Sequence, residues 1–232
     1  MRLGFWQLDR AEQKEQIVVE QQVQEALPPL QNSDWRQITA NHLRQVQLSA
    51  IFDSERYLLL ANRTRNSQVG YEVIALAYLP EQQDRPVLVN RGWVPASFDR
   101  TELPDISHPE GMVLITGYYY CSQPNSMISQ PTEFNGQWPA VVFDLSQEAV
   151  EQIFAPQIRP QPCEVRLDSY SPLAFEASWQ IINQSVEKHI GYAVQWFSMA
   201  FALIILALFA NSNLGRFFAK SNQTQTRDTS GH

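Results

Sequence analysis

Apolar positions along this chain keep three rhythms. Residues 190–210 read IGYAVQWFSMAFALIILALFA, an apolar run without a single charge. As a helix rising about 1.5 Å per residue, it reaches about 31 Å, enough to cross a bilayer core of about 30 Å. Residues 5–27 are rich in Gln and Glu, with Val18, Val19, Val23 and Leu27 at loosely helical spacing. This predicts a helix leaving a membrane and stopped by Pro28-Pro29. Ser33 or Asp34 is placed to cap a second short helix over 35–43. Between the ends the rhythm shortens. Residues 46–52, 56–61, 70–79, 86–95, 112–121, 140–144 and 162–167 are β-branched or aromatic runs. Asp53-Ser54 and Arg65-Asn66-Ser67 supply turns, and Ser146 caps a helix over 146–154.

The pattern therefore predicts a membrane-anchored α+β protein. Its body is a mainly antiparallel β domain with flanking helices; short strands joined by short turns favour a closed, barrel-like sheet, an open sheet packed on helices being the alternative. The expected organisation is the end of a first membrane helix (1–8), a helical juxtamembrane segment (9–45), the β-rich domain (46–187), a transmembrane helix (188–211) and a tail (212–232). Leu3 to Leu8 is too short to span. Interfacial Trp6 and the charges from Asp9 onward read as the exit end of a longer apolar helix, so the first span is expected to be truncated in this sequence.

Charge adds orientation. Arg216, Lys220 and Arg227 follow the span, whereas Lys188 alone lies just before it. By the positive-inside rule the tail is expected to be cytoplasmic and the body outside the cytoplasm, a tail-anchored protein with a cytoplasmic body being the alternative. A net charge of −7 argues against a nucleic-acid partner. Cys121 and Cys163 form no CxxC pair; two unpaired, half-buried thiols are the expectation, and a disulfide formed in an oxidising compartment is the alternative that their spacing does not decide. The sequence holds none of the HExxH, GxSxG, GxGxxG or P-loop signatures, so no catalytic constellation is expected.

Two stretches carry candidate chemistry. In PVLVNRGWVP, a period of two puts Val87, Val89, Arg91 and Trp93 on one face. Arg91 is expected to form a structural ion pair pinning the strand; the functional alternative is a cation offered to an acidic ligand. Gly92 inside a strand predicts a bulge or the close approach of another backbone. In HIGYAVQWF, helical spacing aligns His189, Tyr192, Ala193, Trp196 and Ala200 in one stripe. Such a stripe suits interfacial anchoring, and it also offers what a haem requires, an axial nitrogen beside a flat apolar wall.

Four patches in order carry a family resemblance: GFWQLDRAEQK, NRTRNSQVGYEVIALAYL, VLVNRGWVP and HIGYAVQWF. Together the chain resembles the surfeit-locus protein 1 family of cytochrome c oxidase assembly factors. The resemblance implies two membrane helices flanking one extracytoplasmic domain. It implies a non-enzymatic role in passing haem a transiently to subunit I of the oxidase. His189 is then the haem-iron ligand, Tyr192 and Trp196 line the cofactor, and Arg91 is the candidate for a propionate. Subunit I, the lipid bilayer and a haem a synthase are the implied partners. The implied location is a bacterial plasma (inner) membrane with a periplasmic body, the mitochondrial inner membrane being the alternative. Lys188 stands where the family often has Asn. A cofactor-free scaffold that holds an oxidase subunit is the competing reading.

Overall fold

A computed structural model of the chain describes residues 2–38, 43–97, 102–121, 134–154, 158–161, 163–179 and 186–211. The elements are helix α1 (Arg2–Glu25), a 3-10 turn (Asn32–Gln37), strands β1 (Gln45–Arg65), β2 (Gln68–Leu79), β3 (Gln82–Pro95), β4 (Met112–Tyr120) and β5 (Ala140–Val142), helix α2 (Gln147–Phe154), strand β6 (Glu164–Leu167) and helix α3 (Val186–Asn211). They fall into two compact units. One joins residues 1–19 to residues 181–232, and the other holds residues 20–180. The expected tail, 212–232, lies outside the described residues.

The second unit is a β body. Its six strands form a mixed sheet in the order β2-β3-β6-β4-β1-β5, and β1 also pairs with β2. The β1–β2, β1–β4, β2–β3 and β4–β6 pairs are antiparallel, while β1–β5 and β3–β6 are parallel. The strands predicted over 46–52 and 56–61 are one long strand, β1, and the turn expected at Asp53-Ser54 is a register shift within it. Asp53 explains the difference. Its Oδ1 accepts the N–H groups of Glu55 at 3.0 Å and Arg56 at 2.9 Å, so the backbone groups freed by the irregularity stay bonded. That length lets β1 serve β4 with its first half and β2 with its second.

Where turn chemistry is strong, expectation and structure agree. Asn66 and Ser67 both take positive φ between the paired Arg65 and Gln68, the tight hairpin that a right-twisted strand pair favours. Ser146 Oγ accepts the Ala149 N–H at 3.2 Å and starts α2. The helix expected over 35–43 is instead the 3-10 turn. Asp34 does not cap it; its Oδ2 reaches back to the Gln31 N–H at 2.8 Å, making Gln31 the cap residue. Residues 39–42 lie outside the described ones.

Packing follows the alternation of each strand. Leu48, Ala50, Val87, Val89, Ile115, Tyr119, Val165 and Leu167 share one buried cluster with Trp35. The opposite faces of β1, β2 and β3 bury Leu58, Leu60, Ile74, Leu76 and Leu88 under Val150, Ile153 and Phe154 of α2. Coverage on both faces explains why residues 57–61 read as a continuous apolar run rather than an alternating one.

Cys121 and Cys163 form a disulfide, which corrects the expectation of two free thiols. The reason is register. Tyr120 lies opposite Glu164 in the antiparallel β4–β6 pair, so the next position outward puts Cys121 opposite Cys163, with Cα atoms 4.4 Å apart. Forty-two residues separate the two cysteines in the sequence, and a loop of that length is worth about 4 kcal/mol in the chain-entropy picture.

Candidate functional site

The first unit brings α1 and α3 together through small residues. The only buried side chains of α3 are His189 and Ala193, and the only buried positions of α1 are Gly4 and Ala11. Small residues at a helix contact let the two backbones approach. At Gly4 an added Cβ would stand 2.7 Å from the Phe197 ring, so the missing side chain leaves that ring its seat. Phe5 meets Phe197 edge to face, with ring centres 5.2 Å apart.

One turn along, the histidine finds its partner. His189 Nδ1 lies 2.7 Å from Gln7 Oε1. A carbonyl oxygen only accepts, so Nδ1 carries the hydrogen, and the neutral form of a ring held this way has its lone pair on Nε2. Among the described residues Nε2 has no hydrogen-bond partner. An imidazole held by a carbonyl on one nitrogen and open on the other is the arrangement typical of a metal-ligating histidine. Among the described residues no cluster of three or more His, Cys, Asp or Glu side chains is placed to hold a bare metal ion, so the one nitrogen suits a group that brings the iron's other ligands with it, as a haem does. Sequence reading singled out His189 and quoted Gln7 within a motif, but it had no signal that the two would meet across 182 positions.

Tyr192 and Trp196 do not share the buried side of His189. Tyr192 is 49% exposed and Trp196 39%, whereas His189 is 8% exposed and Ala193 1%. Burial in α3 follows the spacing 189, 193, 197, with Phe197 half-buried. The expected stripe thus divides. His189 and Ala193 face the helix contact, and the two aromatics are open. Around and beyond them Phe201, Leu203, Leu206 and Leu208 are each more than 60% exposed.

Arg91 belongs to the β body. The ion pair expected for it is absent among the described residues. Instead its Nε donates to Leu173 O at 2.9 Å and its Nη1 to Ser107 O at 2.8 Å. The guanidinium carbon also sits 4.4 Å from the Phe175 ring centre and 5.6 Å from that of Phe52. Carbonyl dipoles and ring faces stand in for a carboxylate, and burial pulls the Arg91 pKa down to about 10. His108 Nδ1 lies 3.4 Å from Arg91 Nη1 and so acts as acceptor, leaving Nε2–H as a buried donor without a partner. Burial, reinforced by the Arg91 charge, lowers the His108 pKa to about 4. Sequence reading missed this second histidine, which follows a proline- and aspartate-rich loop with no periodic signal.

The RGW patch is held by contacts within the sheet. β2 and β3 pair at Ile74 with Asn90 and at Glu72 with Trp93, so β3 carries one extra residue there. Gly92, at φ +108°, absorbs it, and a Cβ at Gly92 would stand 2.9 Å from Glu176 O. Both expectations for Gly92, a bulge and a close backbone, hold. The bulge interrupts the alternation, so Trp93 does not continue the face of Arg91. The Trp93 ring lies over Gly70, and its Nε1 donates to Arg63 O at 2.9 Å. Asn90 braces the same place. Its Oδ1 accepts the Gly92 N–H at 3.0 Å, while its amide donates to Glu72 at 2.8 Å and Glu164 at 3.0 Å. Complete burial raises the pKa of Glu164 despite the Arg166 guanidinium, whose Nε lies 2.7 Å from Glu164 Oε1. Two of the recurring sequence patches, NRTRNSQVGYEV and VLVNRGWVP, thus lock one another.

Comparison with known proteins agrees with this arrangement of patches. Residues 1–201 match the SURF1 family. Surfeit locus protein 1 of Arabidopsis thaliana is 34% identical over 108 residues, which cover 41% of this chain and 30% of that protein. The match therefore spans less than a third of that relative's length. With the family match running from the α1 motif through the His189 patch, the chain belongs to the SURF1 family.

Proposed function

We propose that this protein assists the assembly of a haem–copper cytochrome c oxidase, with His189 as the axial ligand of haem a on its way to subunit I. The hydrogen bond from His189 Nδ1 to Gln7 Oε1 carries the reading, because it fixes the ring and leaves Nε2 without a partner among the described residues. Ala193, one turn away, is buried in the helix contact and lets α1 pack closely beside His189. Tyr192 and Trp196 are open aromatic surfaces for the ring edge or the apolar tail of the cargo.

In this reading α3 crosses a bilayer. Its 26 residues reach about 39 Å at about 1.5 Å per residue. Its outward Phe201, Leu203, Leu206 and Leu208 would be costly in water and are at home in hydrocarbon. The lysine and arginine bias around the span supports a body on the non-cytoplasmic side, the periplasmic side if the membrane is a bacterial plasma membrane. The circuit of pairings that returns from β1 to β2 is consistent with a barrel-like body. Arg91 has a structural role here, its Nε and Nη1 being used inside the body. The protein acts as a carrier and not as a catalyst. A cofactor-free scaffold is the second reading, favoured by the same exposure of Tyr192 and Trp196, which leaves both free to pack on a partner helix.

The test is an absorption spectrum of the full chain, produced with a haem a synthesis pathway and purified in detergent. A Soret band that collapses in His189→Ala, with unchanged folding, is the expected result. A wild-type protein that is folded, inserted and colourless would move the assignment to the scaffold.

A further inference from the structure

Beside α2 the β body holds a cavity of about 420 Å³, within the size range of small-molecule sites. Buried Val150 and Pro160 and half-buried Ile158 supply its apolar lining. Arg85 and Arg159 line it as well, both exposed. The Arg159 N–H donates to Asp84 O at 3.0 Å, so the backbone carrying one arginine is bonded to the residue beside the other. Neither guanidinium has an ion pair or a side-chain hydrogen bond among the described residues. Asp84, beside the cavity, pairs with Arg36 at 3.7 Å. Glu151 lines the cavity with Gln147, whose amide it accepts at 2.7 Å, so two arginines face a single lining carboxylate.

We infer that this cavity is a binding site for a small organic anion, a carboxylate carried on an apolar body. In a chain of net charge −7, two arginines without partners among the described residues outnumber the one carboxylate that lines the cavity, Glu151, and make the site locally positive. A guanidinium presents a planar fork that matches a carboxylate through two parallel hydrogen bonds. The apolar lining has no use for a bare inorganic ion, but it shields the hydrocarbon part of an amphiphile from water. The site belongs wholly to the β body and stands independently of the haem assignment.

The experiment is calorimetric titration of the full chain in lipid nanodiscs, with empty nanodiscs as the blank. The probes are 4-phenylbutyrate, its neutral amide and inorganic phosphate. Saturable binding of 4-phenylbutyrate is expected, with little or none for the amide or for phosphate. Arg85→Gln with Arg159→Gln should weaken it at least about tenfold, since two charge-assisted contacts are lost. Both side chains are exposed, so the double variant should keep the wild-type melting curve. Val150→Phe, which fills the floor, should abolish binding. Several results would overturn the inference: no binding by wild type, equal affinity in the double variant, or an amide that binds as well as the acid. Phosphate binding as tightly as 4-phenylbutyrate would also overturn it, because the apolar lining would then contribute nothing.

Discussion

His189 in the helix pair and His108 in the β body are both withdrawn from water, yet their surroundings prepare them for opposite tasks. His189 gives its Nδ1 hydrogen to a neutral carbonyl, Gln7 Oε1 at 2.7 Å, and keeps Nε2 free among the described residues. His108 meets a cation, Arg91 Nη1 at 3.4 Å from its Nδ1, and its Nε2 is buried with no partner. The first ring is oriented, with its second nitrogen left open. The second is locked neutral, with a hydrogen where a ligand's lone pair would be needed. Burial alone does not make a histidine a ligand; the group on the other nitrogen decides which lone pair remains.

The most disruptive way to test that contrast is to remove Arg91. Arg91→Leu deletes two charge-assisted hydrogen bonds to carbonyls and strands those acceptors. It should cost the body about 3 kcal/mol or more in urea unfolding. Haem content per folded molecule should stay at the wild-type level, and a loss of haem without a loss of stability would make Arg91 a ligand-facing group after all.

A smaller effect is expected from Gln7→Leu, which keeps the volume of the helix contact but removes the carbonyl that fixes the His189 ring. Loss of such an outer partner typically lowers metal affinity about 10- to 100-fold. Haem titration should show that loss, while the urea midpoint of the body stays put. An unchanged haem affinity would separate His189 from the carbonyl that is said to prepare it.

The mildest test uses pH. The His108 pKa lies at about 4 when folded, against 6.5 for the ordinary group. Below pH 6.5 the unfolded chain takes up a proton that the folded one refuses. Stability from this group is therefore complete above pH 6.5 and is lost progressively as pH falls toward about 4. His108→Phe, packed against Tyr57 and Phe52, should flatten that part of the stability profile and leave the carboxylate part intact. Parallel profiles for wild type and variant between pH 6.5 and 5 would contradict the neutral assignment.

How legible these features were depended on how local their causes are. The apolar run of α3, the Asn66-Ser67 hairpin and the Ser146 cap rest on neighbouring residues and could be read directly. Gly92 could be read too, because a glycine inside a strand has few other reasons to be there. Register could not be read. The Cys121–Cys163 bond follows from β4 pairing with β6, and no spacing in the sequence announces that pairing. The unbroken course of β1 depends on Asp53 bonding its own backbone, which looks the same as a turn in sequence. At the candidate site His189 was visible as an imidazole at the start of an apolar run. Its preparation by Gln7 was not, since that contact spans nearly the whole chain.

The central claim, that His189 offers Nε2 to the iron of haem a, is tested most directly by chemical rescue. His189→Gly, as the full chain in detergent, would be supplied with haem a, with and without free imidazole. The account predicts that the spectrum of the bound haem is lost in the variant and returns when imidazole occupies the vacated place. A variant that keeps the wild-type spectrum without imidazole would contradict it.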